Sequence, residues 1–290
     1  MRVGIVQVDG KWPNLALAKL AAHHRAAGDE VEWFSPLDGA DIVYASKIFT
    51  DTPDDPYLPE DVVRGGSGYD LMTVLPDDVD RLRPDWSLWP WWQKDMGFST
   101  RGCVRHCAFC IVPEKEGRLR IVADFADLST GRRELVLLDA NITAAPIEHL
   151  RALCADASRT GTRLDFSQGL DARLLTEEQA RLIVGAPHVR QIHMAFDNLS
   201  DEAAVRRAIV LWREAGLNVR ADLMVFVLIG FDTTEAEDLY RVELLRDLGA
   251  NPFVMPFDRG DRYQRRLARW VNRPQLFRSC SWAEFGKVPA

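Results

Sequence analysis

The chain has 290 residues, with 36 Lys and Arg against 43 Asp and Glu and a net charge of −7. This length suggests about two domains and enough apolar residues for independent folding. The acidic balance argues against a protein that binds nucleic acid over a broad basic surface, although it leaves a local basic surface open. No apolar run approaches the ~20 residues of a membrane span, so we expect no membrane segment.

The first 75 residues have the pattern of a small α/β domain. Residues 2–8 form a short apolar run that is typical of a buried parallel strand and not of a secretion signal. A helical pattern runs from Asn14 to Gly28, and strand-like segments follow at residues 30–34 and 41–49. Strands that alternate with helical connections predict an α/β domain over residues 1–75.

Residues 76–95 have the composition of a linker. They contain three prolines and four tryptophans, namely Trp86, Trp89, Trp91 and Trp92. We predict that this segment wraps against a neighbouring domain. The tryptophans either pack between the domains, which their number favours, or form a stacking surface for a substrate base.

Residues 96–258 show a regular series of strand-like and helical patterns. Predicted strands are residues 97–100, 135–138, 163–166, 189–196, 219–229 and 253–257, and predicted helices are residues 146–158, 177–184, 201–215 and 234–248. Six strands with intervening helices fit an α/β fold, a partial (β/α)6 TIM-like barrel. In such barrels the functional groups gather at the carboxyl ends of the strands.

A cysteine motif directly follows the first predicted barrel strand. It reads Cys103-x3-Cys107-x2-Cys110, whereas Cys154 and Cys280 are isolated and remote. Three thiolates can hold one metal centre together, but they are one ligand short of a closed zinc site or a fully ligated iron–sulfur cluster. An iron left open in this way can bind a small molecule. A structural zinc knuckle is the alternative interpretation.

With the aromatic Phe109 before the last cysteine, the motif resembles the signature of radical S-adenosylmethionine (SAM) enzymes. In that family the loop holds a [4Fe-4S] cluster whose unique iron binds the amino and carboxylate groups of SAM. The reduced cluster cleaves SAM to methionine and a 5′-deoxyadenosyl radical, which abstracts a hydrogen atom. The resemblance implies Cys103, Cys107 and Cys110 as metal ligands and Phe109 as a cofactor-binding residue. It also implies a [4Fe-4S] cluster and SAM as cofactors, and a reducing partner such as flavodoxin or ferredoxin.

The run from Arg101 to Pro113 is most similar to the branch of methylthiotransferases and cobalamin-domain members, but the chain departs from both. Residues 1–75 loosely resemble the flavodoxin-like domain of the cobalamin members, whose Asp-x-His-x-x-Gly motif supplies a cobalt ligand. Here Asp9-Gly10-Lys11-Trp12 offers no histidine. No cysteine precedes Cys103, so the auxiliary cluster of the methylthiotransferases is not expected. We predict a flavodoxin-like scaffold without cobalamin.

The resemblance also implies SAM contacts at two later strand ends. Asp139 and Asn141 stand where the family often has Gly-Gly-Glu, which binds the SAM amine, unless they simply form a turn before the next helix. Gly230 lies in a segment similar to the one that packs against adenine. Thr233 stands in place of the glutamate of that segment, so the expected contact of Gly230 is through its backbone.

Polar residues after the third predicted strand are further candidates. Gln168, Asp171 and Arg173 are expected at the barrel mouth, where they would hold the SAM carboxylate or substrate. A structural pair between Asp171 and Arg173 explains those two residues equally well.

Residues 259–290 form an arginine-rich C-terminal extension. Seven arginines lie between residues 259 and 278, and Arg262, Arg266 and Arg269 share one face of a predicted helix. This face either binds phosphate groups or, as the acidic composition favours, is a solvated face paired with acidic residues.

The sequence therefore predicts a radical SAM enzyme in the cytoplasm, where reducing conditions protect exposed thiolates. Its substrate class is open, with a nucleotide or nucleic-acid component as one candidate. The alternative is a non-catalytic iron–sulfur or zinc-binding scaffold protein.

Overall fold

The computed structural model describes residues 1–285, and the chain divides between Met96 and Gly97 into two compact units. Both units are mixed α/β structures with parallel strands, which confirms the predicted α/β class. Every helix within the described residues is too short or too polar to cross a bilayer.

The first unit is built on one four-stranded parallel sheet with the strand order β2-β1-β3-β4. Its elements are β1 (Arg2–Gln7), α1 (Leu15–Ala26), β2 (Glu30–Trp33), β3 (Ile42–Ser46), β4 (Val63–Gly65) and α2 (Asp77–Asp80). The central strand β1 buries Val3 and Ile5, as its apolar run predicts. Asn14 begins α1, because its side chain accepts a hydrogen bond from the Leu17 amide at 3.1 Å.

The tryptophan-rich segment packs within the first unit. Trp86, Trp89 and Trp92 are only 5, 3 and 5 % exposed. The indole nitrogen of Trp89 donates to Oε1 of Gln7 at 3.1 Å, which ties the segment to the end of β1. Residues 76–95, predicted as a linker, are therefore continuous with the unit that precedes them. Burial of such large rings favours packing over a solvated linker.

The second unit begins at Gly97, the last residue of β5 (Asp95–Gly97). Its further strands are β6 (Thr100–Arg101), β7 (Arg120–Ile121), β8 (Glu134–Leu137), β9 (Arg163–Asp165), β10 (Ile192–Ala195), β11 (Leu223–Ile229) and β12 (Asn251–Pro256). Its helices are α3 (Val112–Lys115), α4 (Phe125–Leu128), α5 (Ile147–Thr160), α6 (Glu177–Gly185), α7 (Glu202–Glu214), α8 (Val219–Asp222), α9 (Glu235–Asp247), α10 (Arg262–Val271), α11 (Pro274–Ser279) and α12 (Trp282–Phe285).

The second unit is built on two groups of parallel strands. In the first group β8 pairs with β9, and the amide of Leu138 donates to the carbonyl of Gly97 at 2.9 Å. In the second group β10, β11 and β12 pair in that order. An isolated parallel bridge between Leu170 and Met194 lies between the two groups.

The two faces of β11 have different surroundings. On one face the side chains are completely buried in the core: Leu223, Val225, Val227 and Ile229. On the other face Met224, Phe226 and Leu228 are only half-buried. This alternation follows from the two-residue period of a strand and leaves one face of the sheet partly open.

Residues 219–222 differ from their predicted strand structure, because they form the short helix α8. Asn218 accepts a hydrogen bond from the amide of Ala221 at 3.2 Å, and this cap stabilises a helical turn. The strand β11 consequently begins at Leu223.

The arginine-rich stretch forms helices that pack within the second unit. Trp270 is completely buried, and its ring contacts Phe277 with 4.8 Å between centroids. The guanidinium group of Arg266 lies 5.1 Å from the ring centre of Trp282, so this arginine stacks on an aromatic ring. The last five residues of the predicted extension 259–290 lie outside the described residues.

Candidate functional site

The cysteine motif lies on a loop that is clamped at its base. The antiparallel pair β6–β7 flanks the loop. The carboxylate of Glu116 accepts hydrogen bonds from Nη1 of Arg101 at 3.2 Å and from the amide of Gly102 at 2.9 Å. Gly102 has φ +79°, and a Cβ atom there would lie 2.3 Å from the carbonyl oxygen of Arg118. Glycine is therefore required where the loop leaves β6.

The thiols of Cys103, Cys107 and Cys110 are free and half-buried. Burial raises the pKa of Cys110, and the charges of Cys107 and Cys103 raise this pKa further. The three cysteines lie on one loop, between residues 103 and 110. Cys154 lies instead in the hydrophobic core, where burial raises its pKa to about 12, and Cys280 lies at the end of α11.

The donor set fits an iron–sulfur or zinc centre, because thiolates are soft ligands that bind both. Sγ of Cys103 accepts hydrogen bonds from the amide of Arg105 at 3.3 Å and from Nδ2 of Asn141 at 3.5 Å. Donors of this kind stabilise a ligating thiolate and influence the reduction potential of a cluster. Within residues 1–285, no three Cys, His, Asp or Glu side chains are grouped so that they could hold a metal ion. The three thiols are therefore candidate ligands by their spacing on one loop and not by an assembled site.

A buried carboxylate lies beside this loop and collects several donors. Asp171 accepts hydrogen bonds from Nε of Arg105 at 3.2 Å and from Nδ2 of Asn141 at 3.2 Å. Nε and Nη2 of Arg173 lie 2.7 and 3.0 Å from its two oxygens, so the structural pair considered for these residues is present.

The charges of this group are balanced, because Arg105 and Arg173 pair with Asp171 and Arg173 also pairs with Asp201 at 3.4 Å. Burial alone would raise the pKa of Asp171, but Arg173, with a smaller contribution from Arg105, outweighs burial and holds the pKa below its ordinary value. Asp171 is therefore ionised. The side chains of Arg105 and Arg173 remain 35 and 33 % exposed, so both can also contact a ligand.

Asp139 is 3 % exposed, and its carboxylate faces the strand that leads into the cysteine loop. It accepts hydrogen bonds from Oγ of Ser99 at 2.7 Å and from Oγ1 of Thr100 at 2.6 Å, and the amides of both residues donate to it as well. Nε2 of His149 lies 3.0 Å from Oγ of Ser99, and burial lowers the pKa of this histidine. Asp139 thus anchors the cysteine loop, which is a different task from the amine contact predicted for it.

The other predicted cofactor residues are more dispersed. Phe109 is 37 % exposed, and its ring lies edge-on to that of Phe231 with 5.6 Å between centroids. The amide of the neighbouring Gly230 donates to Oδ2 of Asp238 at 3.2 Å, so this backbone donor already has a partner. The side chain of Gln168 is exposed on the loop after β9. The structure therefore brings Phe109 next to the Gly230 segment and Asn141 next to Cys103.

Two further residues belong to the site. Sequence reasoning did not select Arg105, whereas Asp197 is a polar residue at the end of the fourth predicted strand, 189–196. Asp197 follows β10 and accepts a hydrogen bond from the amide of Leu228 at 3.0 Å. Burial raises the pKa of Asp197 above its ordinary value, and the charge of Asp197 in turn raises the pKa of Cys110. In the sequence, Arg105 can be found as a basic residue inside the cysteine motif, and Asp197 as an aspartate at the end of a strand.

No model of a known protein family matches the chain, and no curated protein is similar to it at a significant level. The assignment of a function therefore depends on the residues of the site.

Proposed function

We propose that this protein is a radical SAM enzyme whose cluster ligands are Cys103, Cys107 and Cys110. The observation that carries the proposal is the clamped Cys-x3-Cys-x2-Cys loop, which lies beside a buried group of charged and amide side chains. A [4Fe-4S] cluster with SAM on its open iron would supply one-electron cleavage of the sulfonium and hydrogen abstraction from a substrate. The residues of the chain supply the position and charge that this chemistry requires.

The proposed fold of the second unit is a partial (β/α)6 TIM-like barrel. The two groups of parallel strands, with the isolated bridge between Leu170 and Met194, support one continuous curved sheet. In that fold Asn141, Asp171 and Asp197 lie beyond the carboxyl ends of successive strands, where barrel enzymes bind their ligands.

For the first unit we propose a flavodoxin-like domain without cobalamin. Its strand order β2-β1-β3-β4 corresponds to the first four strands of the flavodoxin-like order. The missing histidine in the segment Asp9 to Trp12 remains the reason to expect no cobalt ligand there.

The charges near Cys103 suit the amino-acid end of SAM, which carries an ammonium and a carboxylate. The partly exposed guanidinium groups of Arg105 and Arg173 are complementary to the carboxylate. The ionised Asp171 and the amide oxygen of Asn141 are complementary to the ammonium. The carboxylate of Asp139 faces Ser99 and Thr100, whereas Asn141 lies beside Cys103 and Asp171. We therefore assign the amine contact to Asn141, with the charge of Asp171 next to it.

An aromatic surface beside the loop suits the adenine of SAM. The ring of Phe231 lies between Phe109 and Phe257, at 5.6 and 4.9 Å between centroids. Phe257 is 55 % exposed, so a flat base would gain apolar contact there. We therefore assign the adenine contact to the side chains of Phe231 and Phe257, which follow β11 and β12, in addition to the backbone of Gly230.

We further propose a cytoplasmic location, because reducing conditions protect the half-buried thiols. A flavodoxin or ferredoxin is the proposed electron donor for the one-electron chemistry. A nucleotide or nucleic-acid component remains a candidate substrate on the evidence of the arginines alone. Trp86, Trp89 and Trp92 are buried and do not support a base-stacking surface, whereas Trp91 is exposed.

Anaerobic reconstitution with iron and sulfide tests the proposal. The expected result is about four irons and four sulfides per chain. Cys103→Ala, Cys107→Ala and Cys110→Ala should each lose the cluster, whereas Cys154→Ala and Cys280→Ala are matched controls that should keep it. Stoichiometric zinc without iron, or a cluster that never cleaves SAM, would favour the alternative of a non-catalytic scaffold.

A further inference from the structure

A charged cavity lies in the second unit, away from the cysteine loop. Its volume is about 310 Å³, and three arginines line it: Arg220 of α8, Arg246 of α9 and Arg278 of α11. No carboxylate is among the described residues that line the cavity. Three guanidinium groups around one concave space form a strongly positive site.

Arg246 is held rigidly at the wall of this cavity. Its guanidinium carbon lies 4.0 Å from the ring centre of Phe277 and 4.9 Å from that of Trp270. Its Nη1 pairs with Glu243 at 3.0 Å, but Nε and Nη2 are buried without a hydrogen-bond partner within the described part of the chain. Buried guanidinium donors without partners are costly, so a nearby anion would be stabilising.

The other two arginines are connected through one asparagine at the start of β12. Nη2 of Arg278 donates to Oδ1 of Asn251, and Nδ2 of Asn251 donates to the carbonyl oxygen of Arg220 at 2.8 Å. Both arginine side chains are otherwise exposed. Each guanidinium group carries five N–H donors, and Arg278 uses one of them to bind Asn251. The remaining donors are available to a ligand.

The cavity also has an apolar wall. Phe277, Val271 and Pro252 are buried residues that line it beside the arginines. A ligand that carries phosphate and also an apolar or flat body would use both kinds of surface. Phosphate is the group that guanidinium forks match best when several of them converge.

The position of the cavity separates it from the proposed SAM site. It lies where β11 and β12 begin, whereas Phe231 next to the cysteine loop follows the end of β11. A seven-residue strand spans about 23 Å, so the two sites are at opposite ends of the strands.

We propose that this cavity binds a small phosphorylated molecule, a phosphate monoester or diphosphate, independently of the iron–sulfur chemistry. Nucleic acid is the less suitable occupant, because the cavity is a small concave site on a chain with net charge −7 and not an extended basic surface. The arginine-rich stretch contributes Arg278 to this site, while Arg220 and Arg246 come from outside that stretch.

Titration calorimetry of the full chain in chloride buffer tests the proposal, with pyrophosphate and ADP as the probes. We expect one probe molecule to bind per chain and the double substitution Arg220→Gln and Arg278→Gln to weaken binding at least about tenfold. Both arginines are exposed, so these substitutions should leave the melting temperature unchanged. The matched control is Arg265→Gln, an exposed arginine of α10 that does not line the cavity.

Three outcomes would overturn the proposal. The first is that neither probe binds at about 10 mM. The second is that the probes bind equally well to the double variant. The third is that a single-stranded RNA binds through Arg220 and Arg278 while both small probes fail to bind. Binding of either probe that the double variant loses and the control retains supports it. Because no cluster is required, this result does not depend on whether the chain binds iron.

Discussion

The side-chain amide of Asn141 donates a hydrogen bond to the sulfur of Cys103 over 3.5 Å. The same nitrogen lies 3.2 Å from Oδ2 of Asp171, so one side chain connects the first cysteine of the motif with the charged group beside it. Asn141 is only 4 % exposed and is further fixed by a hydrogen bond from Thr143 to its oxygen. This arrangement makes Asn141 the residue through which cofactor positioning is best tested.

Asn141→Ala should leave the fold and the iron content near those of the parent but slow SAM cleavage about 10- to 100-fold. The substitution removes the donor to Cys103 and the proposed acceptor for the SAM ammonium while all three cysteines remain. The measurement is 5′-deoxyadenosine formed under reducing, anaerobic conditions, with iron determined on the same sample. Gln191→Ala, at an exposed amide side chain before β10, is the control. Unchanged cleavage in Asn141→Ala would remove Asn141 from the proposed site.

Asp139→Asn should destabilise the protein by about 3 kcal/mol, because an amide nitrogen would then face the donors of Ser99 and Thr100. Chemical denaturation of the cluster-free protein measures this loss directly. Asp247→Asn, at an exposed aspartate, should change stability little. A fully stable Asp139→Asn variant that fails only in SAM binding would instead support the amine contact expected from the sequence.

Local patterns predicted much of the second unit, because strands and helices leave a local signature. The helix α9 is an example: Thr234 caps it by accepting a hydrogen bond from the amide of Glu237 at 3.3 Å, as its N-cap residue type indicates. The short helix α8 was missed because its apolar residues also suit a strand, and the cap of Asn218 decided between the two structures.

Contacts between distant parts of the chain could not be predicted from local sequence patterns. The partners of Asp139 lie about 40 positions away, and nothing in the segment around Asp139 shows that Ser99 and Thr100 face it. The same holds for Asn141 and Cys103, which are 38 positions apart. The composition of residues 76–95 likewise resembles a linker, and only tertiary burial of the tryptophans shows where the segment packs.

Gly102→Ala should destabilise the cysteine loop by about 3 kcal/mol or more and lower the iron content of the reconstituted protein. The new Cβ atom would lie 2.3 Å from the backbone oxygen of Arg118, so the loop must move. Gly117→Ala is the matched control, since Gly117 also has a positive φ but open space around it, and it should lose only about 1 kcal/mol. Equal losses in both variants would show that the clash at Gly102 has no consequence for the loop.

Asp197→Asn should raise the melting temperature at pH 7 relative to the parent. Burial raises the pKa of Asp197 in the folded protein, so this carboxyl favours folding when protonated and disfavours it when ionised. Its stabilising contribution is present below the unfolded pKa of about 3.9 and is lost as the pH rises through the folded pKa. The asparagine oxygen can still accept the hydrogen bond from Leu228.

Thermal unfolding of Asp197→Asn and of the parent protein as a function of pH tests this prediction. The difference between Asp197→Asn and the parent should disappear below about pH 4. The exposed Asp61→Asn provides the control and should show no such trend. A variant that is less stable than the parent at pH 7 would mean that the ionised Asp197 is stabilised by its partners in spite of its burial.

The central claim is that the loop of Cys103, Cys107 and Cys110 supports reductive cleavage of SAM. The most direct measurement is the amount of 5′-deoxyadenosine formed by the reconstituted, reduced protein, compared with Cys107→Ala and with Cys154→Ala. We predict formation by the parent and by Cys154→Ala, and none by Cys107→Ala. A parent protein that holds the full complement of iron and sulfide yet forms no 5′-deoxyadenosine would contradict the account.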